Sequence, residues 1–234
     1  MTELRGAFAQ ALALIGGADP SLVEIVLLTV QVSFSAVLLA TAIALPLGGA
    51  LALYRFPGRR GLVVLLNALM GLPPVVAGLA VYLLLSRSGA LGAWGLLFTP
   101  GAMIAAQCVL VTPIVAALSR QVLEDLWAEY AEQLRSLGAG RARAIATLVW
   151  EGRHALLTAV LAGFGRAIAE VGAVLIVGGN IAHHTRVMTT AIALETSKGD
   201  LALALGLGML LIGMSIVVNA SAYLLKEYAQ VRYG

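Results

Sequence analysis

The sequence predicts an all-α membrane protein with five transmembrane helices. The N-terminus lies out and the C-terminus in, and a two-helix cytoplasmic segment joins spans three and four. Three observations predict this. Of 234 residues, 60% are hydrophobic and 12% charged, about half the charge of a soluble domain, so the chain cannot cover a water-facing surface. That composition is equally far from the polar, charged make-up of a disordered chain. Thirty residues between Glu24 and Arg55, twenty-six between Arg60 and Arg87 and twenty-five between Asp200 and Lys226 carry no charge, where a membrane helix needs about 20 apolar residues. The basic residues between the spans are unevenly divided: with the first span running inward, ten fall on inner segments, four on outer ones and Arg166 within a span, which sets the orientation and accounts for the net charge of +3 without nucleic acid.

Taken in order, Leu4, Phe8, Leu12 and Ile15 recur at helical spacing, so residues 1–20 read as an amphipathic segment on the outer face. Glu3 stands beside Arg5 and no basic start precedes them, which argues against a cleaved leader. Gly16-Gly17 and Asp19-Pro20 punctuate the chain before the first span. The spans are placed at about 23–54, 61–86, 101–119, 154–178 and 201–225. Residues 88–100 are charge-free, but their Gly and Pro content reads as a loop. Pro46, Pro73, Pro74 and Pro113 lie inside spans and each removes a backbone donor. They either kink a helix for packing or line a pathway.

Residues 120–153 are the largest polar block. Leu126, Trp127, Tyr130, Leu134 and Leu137 repeat at helical spacing, and Ile145, Leu148 and Val149 continue after a glycine break. The spacing predicts two short helices joined at 137–140, with Glu132 and Arg135 able to pair on one face. The segment is either a solvated loop or a knob for a soluble partner; exposed Trp127, Tyr130, Leu134 and Leu137 favour the knob.

Arg166 and Glu170 are the charges well inside a span, each costing about 2.5–3.5 kcal/mol at a helix centre on insertion scales. Four residues apart, they share a face and either lock the helix to its neighbours or stand beside a pathway or gate. At the outer end of the fourth span, Gly178-Gly179-Asn180 with Thr185, Arg186, Thr189 and Thr190 reads as an outer turn, or as backbone and hydroxyl donors offered to an anion. His183-His184 has no third ligand beside it, and Cys108 is the single cysteine, so neither metal site nor disulfide framework is expected. Neither lysine follows a glycine, so no phosphate-binding loop is present. Gly-x-Ser-x-Gly and His-Glu-x-x-His are also missing. The expectation is a non-enzymatic chain without cofactor.

The segment Glu132-Gln133-Leu134-Arg135-Ser136-Leu137-Gly138 resembles the Glu-Ala-Ala loop of ABC-importer permeases, whose pattern continues to a glycine and then to Ile-x-Leu-Pro. Glu132 and Gly138 fall on its Glu and Gly. Gln133 and Leu134 stand in place of the two alanines, and Leu148, Trp150 and Glu151 in place of Ile, Leu and Pro. Residues 164–174 around Arg166 and Glu170, residues 71–78 around Pro73-Pro74, Pro57-Gly58, and residues 178–200 are similar to the molybdate and tungstate permeases, most closely the tungstate branch. The resemblance implies a permease domain over 21–228 in a prokaryotic inner membrane. It implies a second copy of the chain, two ATP-binding cassette subunits and an extracytoplasmic oxyanion-binding protein as partners, besides membrane lipid. It makes Glu132, Arg135, Leu137, Gly138 and Ala139 the ATPase contact; the residues themselves make Arg166, Glu170, Pro73 and Pro74 the candidates for pathway or gate, and Asn180, Thr185, Arg186, Thr189 and Thr190 the candidates for outer contact with oxyanion or receptor. A stand-alone secondary transporter or channel for a small anion is the rival reading. It predicts inverted repeats and more buried titratable groups, and neither is visible in the sequence.

Overall fold

The computed structural model describes residues 11–13, 16–17 and 19–233; most of the proposed outer-face segment lies outside the described residues. Among these, the regular structure is helical throughout. The elements are α1 (Pro20–Leu53), α2 (Arg59–Met70), α3 (Pro74–Leu85), a 3-10 turn (Gly92–Trp94), α4 (Pro100–Ser136), α5 (Arg141–Glu151), α6 (Arg153–Ile168), α7 (Gly172–Gly178), α8 (Met188–Lys198) and α9 (Leu201–Tyr233). Three helices, α1, α4 and α9, are long and apolar enough to cross a membrane; the bent pairs α2–α3 and α6–α7 raise the number to five if each is one span.

The starts and stops follow local chemistry. Asp19 caps α1, its carboxylate accepting from the backbone N–H of Ser21 at 2.9 Å and from the Ser21 hydroxyl; the hydroxyl foremost, then the backbone donor, hold that carboxyl below the usual carboxylate range. Pro20, Pro74 and Pro100 each open a helix, where a missing N–H costs nothing. Pro46 and Pro113 lie inside α1 and α4, which run on unbroken. The paired Pro73-Pro74 behaves differently. Gly71 closes α2, and two residues without donors follow within three positions, so α3 leaves at 106° to α2. The expected span over 61–86 is therefore two helices meeting at a sharp corner, and the expected 154–178 span is bent by 58° between α6 and α7.

α1 and α4 form the spine and run parallel: the Cys108 thiol donates to the Ala36 carbonyl at 3.2 Å, and twelve residues further on Gly48 abuts Ala116 and Ser119. A Cβ on Gly48 would stand 2.9 Å from the Ala116 carbonyl oxygen, so this crossing needs glycine. α6 packs antiparallel along α4, with Gly163 against Val111 and Val115. Buried clusters follow the spine from one end to the other: Val32, Met103 and Val177 at the first, Val37, Val115 and Ile168 in the middle, Leu53, Leu123 and Leu148 at the second. Leu22, Met188, Ala191 and Leu207 bind α8 and α9 to the start of α1. Large apolar side chains nevertheless point outward, among them Leu27, Phe34 and Leu38 of α1 and Ile212 and Val217 of α9. That is the inverted economy of a lipid-facing surface.

Candidate functional site

At the second end of the spine α4 does not stop where a membrane span would. It runs unbroken to Ser136, about 55 Å against a hydrocarbon core of about 30 Å. The first of the two expected short helices is thus the extension of α4 rather than a separate element; the second is α5. The joint falls at 137–140 as the spacing predicts. Gly138 adopts φ +69°, its N–H reaches the Arg135 carbonyl at 2.9 Å, and the Ala139 N–H reaches the Leu134 carbonyl at 2.9 Å. Together these form the paired closure of a Schellman motif, with glycine at the left-handed position. Leu134 and Ala139 pack into the cluster around Leu123 and Leu148, which fixes the tip against α5. Glu132, Arg135 and Gly138 remain exposed, and Leu137 stands 81% exposed at the apex. Trp127 and Tyr130, expected outside, are half-buried and Leu134 is buried, so the apolar tip is narrower than the sequence implied. Arg135 does not pair with Glu132; its guanidinium lies over the Trp127 ring, 5.3 Å from the centroid, where cation and ring face attract.

A knot that sequence reasoning missed holds this end. Arg59 donates through Nε to the Leu51 carbonyl at 2.6 Å and through Nη2 to Glu124 at 2.7 Å. Arg120 binds the other Glu124 oxygen. One carboxylate between two guanidiniums thus ties the end of α1 and the start of α2 to α4. The available signal was weak: Arg59, Arg120 and Glu124 border spans that the sequence does not align.

In the middle of the bundle the break between α6 and α7 is a polar cluster. Glu170 is 3% exposed. One oxygen accepts from the Ala173 N–H at 3.0 Å, capping α7, and the other sits 3.3 Å from Arg166 Nη1. The Ala167 carbonyl, which accepts from the Glu170 N–H at 3.2 Å, accepts also from Gln107 Nε2 at 3.1 Å, and the Glu170 carbonyl accepts from the Thr189 hydroxyl at 2.8 Å. An unpaired backbone group would be costly at this depth. Gln107, a lone amide in an apolar run, was the signal overlooked. Arg166 is one-third exposed where its partner is buried, so the pair presents a cation at its open side. α3 starts against this cluster: Val75 lies against Gly172 and the Gly78 backbone against Ala173. The corner made by Pro73-Pro74 and the break carrying Arg166 and Glu170 therefore meet.

At the first end, His183 pairs with Glu24 at 2.7 Å and the Phe98 N–H donates to the Val177 carbonyl at 2.9 Å, gathering 179–187, 86–99 and the start of α1. Here the expectation changes most. Residues 188–198 form α8, and Thr185, Thr189 and Thr190 are buried. The Thr185 hydroxyl donates to the Gly178 carbonyl at 2.5 Å and accepts from the Ile181 N–H at 3.0 Å, and Thr190 caps α8 through the Val187 N–H at 3.2 Å. Each of the three threonine hydroxyls donates to a backbone carbonyl. Asn180, at φ +51°, and Arg186 remain. They are half-buried, and Asn180 Oδ1 and Arg186 Nε have no hydrogen-bond partner.

These features agree with what the chain resembles. Residues 44–232 match the family described as the binding-protein-dependent transport system inner membrane component. The chain is 40% identical to the tungstate uptake system permease protein TupB of Peptoclostridium acidaminophilum, over 97% of this chain and 100% of that one. It is 38% identical to a probable anion ABC transporter permease protein of Haloferax volcanii, over 91% and 94%. It is 37% identical to TupB of Campylobacter jejuni, over 94% and 92%. With a knob at one end, a polar break in mid-bundle and a lipid-facing exterior, the chain belongs to the family of binding-protein-dependent transport system inner membrane components.

Proposed function

We propose that this inner-membrane permease imports tungstate as a homodimer, with residues 21–228 as its permease domain. Substrate passes from an external binding protein between two copies of the chain, and ATP is consumed by separate subunits inside. Two relatives named as tungstate permeases, matched along nearly their whole length, support the substrate. Five spans with the N-terminus out are supported by the charge bias: Arg55, Arg59, Arg60, Arg120, Arg135, Arg141, Arg143 and Arg153 cluster at the knob end, against Arg87, Arg186 and Lys198 at the other.

The coupling handle is the tip of α4: Glu132, Arg135 and Leu137 as contacts, Gly138 and Ala139 as the turn that presents them. The observation that supports this is an exposed helix end, closed by a glycine turn, on a helix of 37 residues, longer than a hydrocarbon core is thick. A handle of this kind transmits force because Leu134 and Ala139 anchor it to α5 and the Arg59–Glu124–Arg120 knot anchors α4 to α1. Arg166 supplies one cation, half-compensated by Glu170, beside the meeting of the two helix breaks. A dianion needs such a positive wall, yet one tight enough to hold it would not release it. Asn180 and Arg186 are the outer contact, the Arg186 guanidinium as the cation for an oxyanion and Asn180 Oδ1, which can only accept, for a donor on the receptor; Thr185 and Thr190 shape that loop, and Thr189 holds the α6–α7 break. Arg166→Gln, which leaves the backbone bonds of the break intact, is expected to reduce tungstate uptake in cells at unchanged membrane abundance. Uptake equal to that of the unsubstituted chain would remove Arg166 from the pathway.

A further inference from the structure

Between the inner end of α1, the first turn of α2 and the extension of α4 lies an open cavity of about 770 Å³. Arg55, Arg59, Arg60 and Arg135 line it, with Trp127 as an aromatic wall and Glu124 as its one carboxylate. Glu124 is already held by Arg59 and Arg120, so it does not neutralise the others. Asp125, Glu129 and Glu132 of α4 do not line the cavity, whose α4 wall follows positions 124, 127, 128, 131 and 135, one stripe of the helix. α2, twelve residues long, begins here at Arg59, with Gly58 before it offering no side-chain cap; the positive end of its dipole adds to the same field. A concave site with this surplus of forked donors is built for a planar or tetrahedral oxyanion.

We propose that this cavity is an anion site that binds a phosphate-like tetrahedral group on the permease itself. The group comes either from an anionic phospholipid, whose chains would lie along the exposed Leu62 and Leu65 of α2, or from a free oxyanion in solution. Basic pockets at the inner ends of membrane helices suit both. Placing the site on the cytosolic side rests on the orientation proposed above; its capacity to bind does not, because a detergent-solubilised chain has no sidedness.

The test uses the full-length chain and the emission of Trp127, assigned by its loss in Trp127→Phe. One arm titrates inorganic phosphate in neutral detergent. The other compares nanodiscs of phosphatidylcholine alone with nanodiscs containing phosphatidylglycerol. At least one arm is expected to give a saturable change, weakened at least about tenfold in Arg55→Gln/Arg60→Gln through loss of charge-assisted hydrogen bonds and unaltered in Arg87→Gln. Both substituted arginines of the double variant are exposed and outside the Arg59 knot, so the variant keeps its fold. A phosphate response assigns a free anion, and a response to phosphatidylglycerol alone assigns the headgroup. Silence in both arms, or equal binding by the double variant, overturns the site.

Discussion

Two residues carry more than their size suggests. Gly138 has no atom within 4 Å of where a Cβ would sit, yet holds φ +69°. Its necessity in the free chain is therefore conformational, not steric. Gly138→Ala is expected to cost about 1–2 kcal/mol at the helix end, and Gly138→Asn less, because asparagine tolerates the left-handed region; thermal unfolding of the purified chain measures both. A bulky residue at 138 finds open space, so any transport loss beyond that modest strain reports the partner that seats on the tip. Glu170 is the opposite case, wholly enclosed. Glu170→Ala leaves the Ala173 N–H without its acceptor, a deficit of about 1–3 kcal/mol, and strips Arg166 of its partner. Glu170→Gln retains an acceptor for Ala173. The expected order of melting temperature is the native chain, then Gln, then Ala; Gln at or below Ala would show that charge, not the cap, holds the break.

Among elements, the helix breaks decide the interior. α3 and α7 approach so closely that a Cβ on Gly78 would lie 2.7 Å from Ala173 Cα; that contact is backbone and cannot swing aside. Gly78→Val is expected to separate the two broken helices and lower folded yield in membranes, whereas Gly165→Ala, facing open space, leaves it unchanged. How legible these elements were follows from their chemistry. α1 and the membrane part of α4 are unbroken apolar runs that the sequence shows within a few residues, and the start of α9 falls at the expected 201 while the helix runs past the expected 225 to Tyr233. The turn at 137–140 was visible because glycine interrupts a helical repeat. The 106° corner was not, since Pro73-Pro74 signals a break but not its angle, and a proline inside α1 or α4 signals the same thing and causes none. α8 escaped because its apolar face is short. The burial of Thr185, Thr189 and Thr190 escaped because a hydroxyl serving the backbone reads in sequence like one offered to a ligand. Glu124 lies 65 residues from Arg59, a separation that no local pattern bridges.

At the scale of the molecule, one end is strongly basic and rigidly knotted, the other is held by the Glu24–His183 pair and short backbone contacts, and the breaks lie between them. A motor pulling on the basic end would move α4 and α1 together, and with them Gln107, which clasps the α6–α7 break. Under the proposed function, that linkage would turn an event in a partner subunit into a change of access, by favouring one of two arrangements. Its most direct test is a cross-link. With Cys108 replaced by Ser, Leu137→Cys is introduced at the exposed apex and inverted membrane vesicles carrying the whole transport system are treated with a short thiol-to-lysine reagent. The account predicts a covalent adduct with the ATP-binding subunit whose yield changes when ATP is added, and none from His183→Cys at the opposite end. An adduct from position 183, or none from 137 in vesicles that transport, would contradict it.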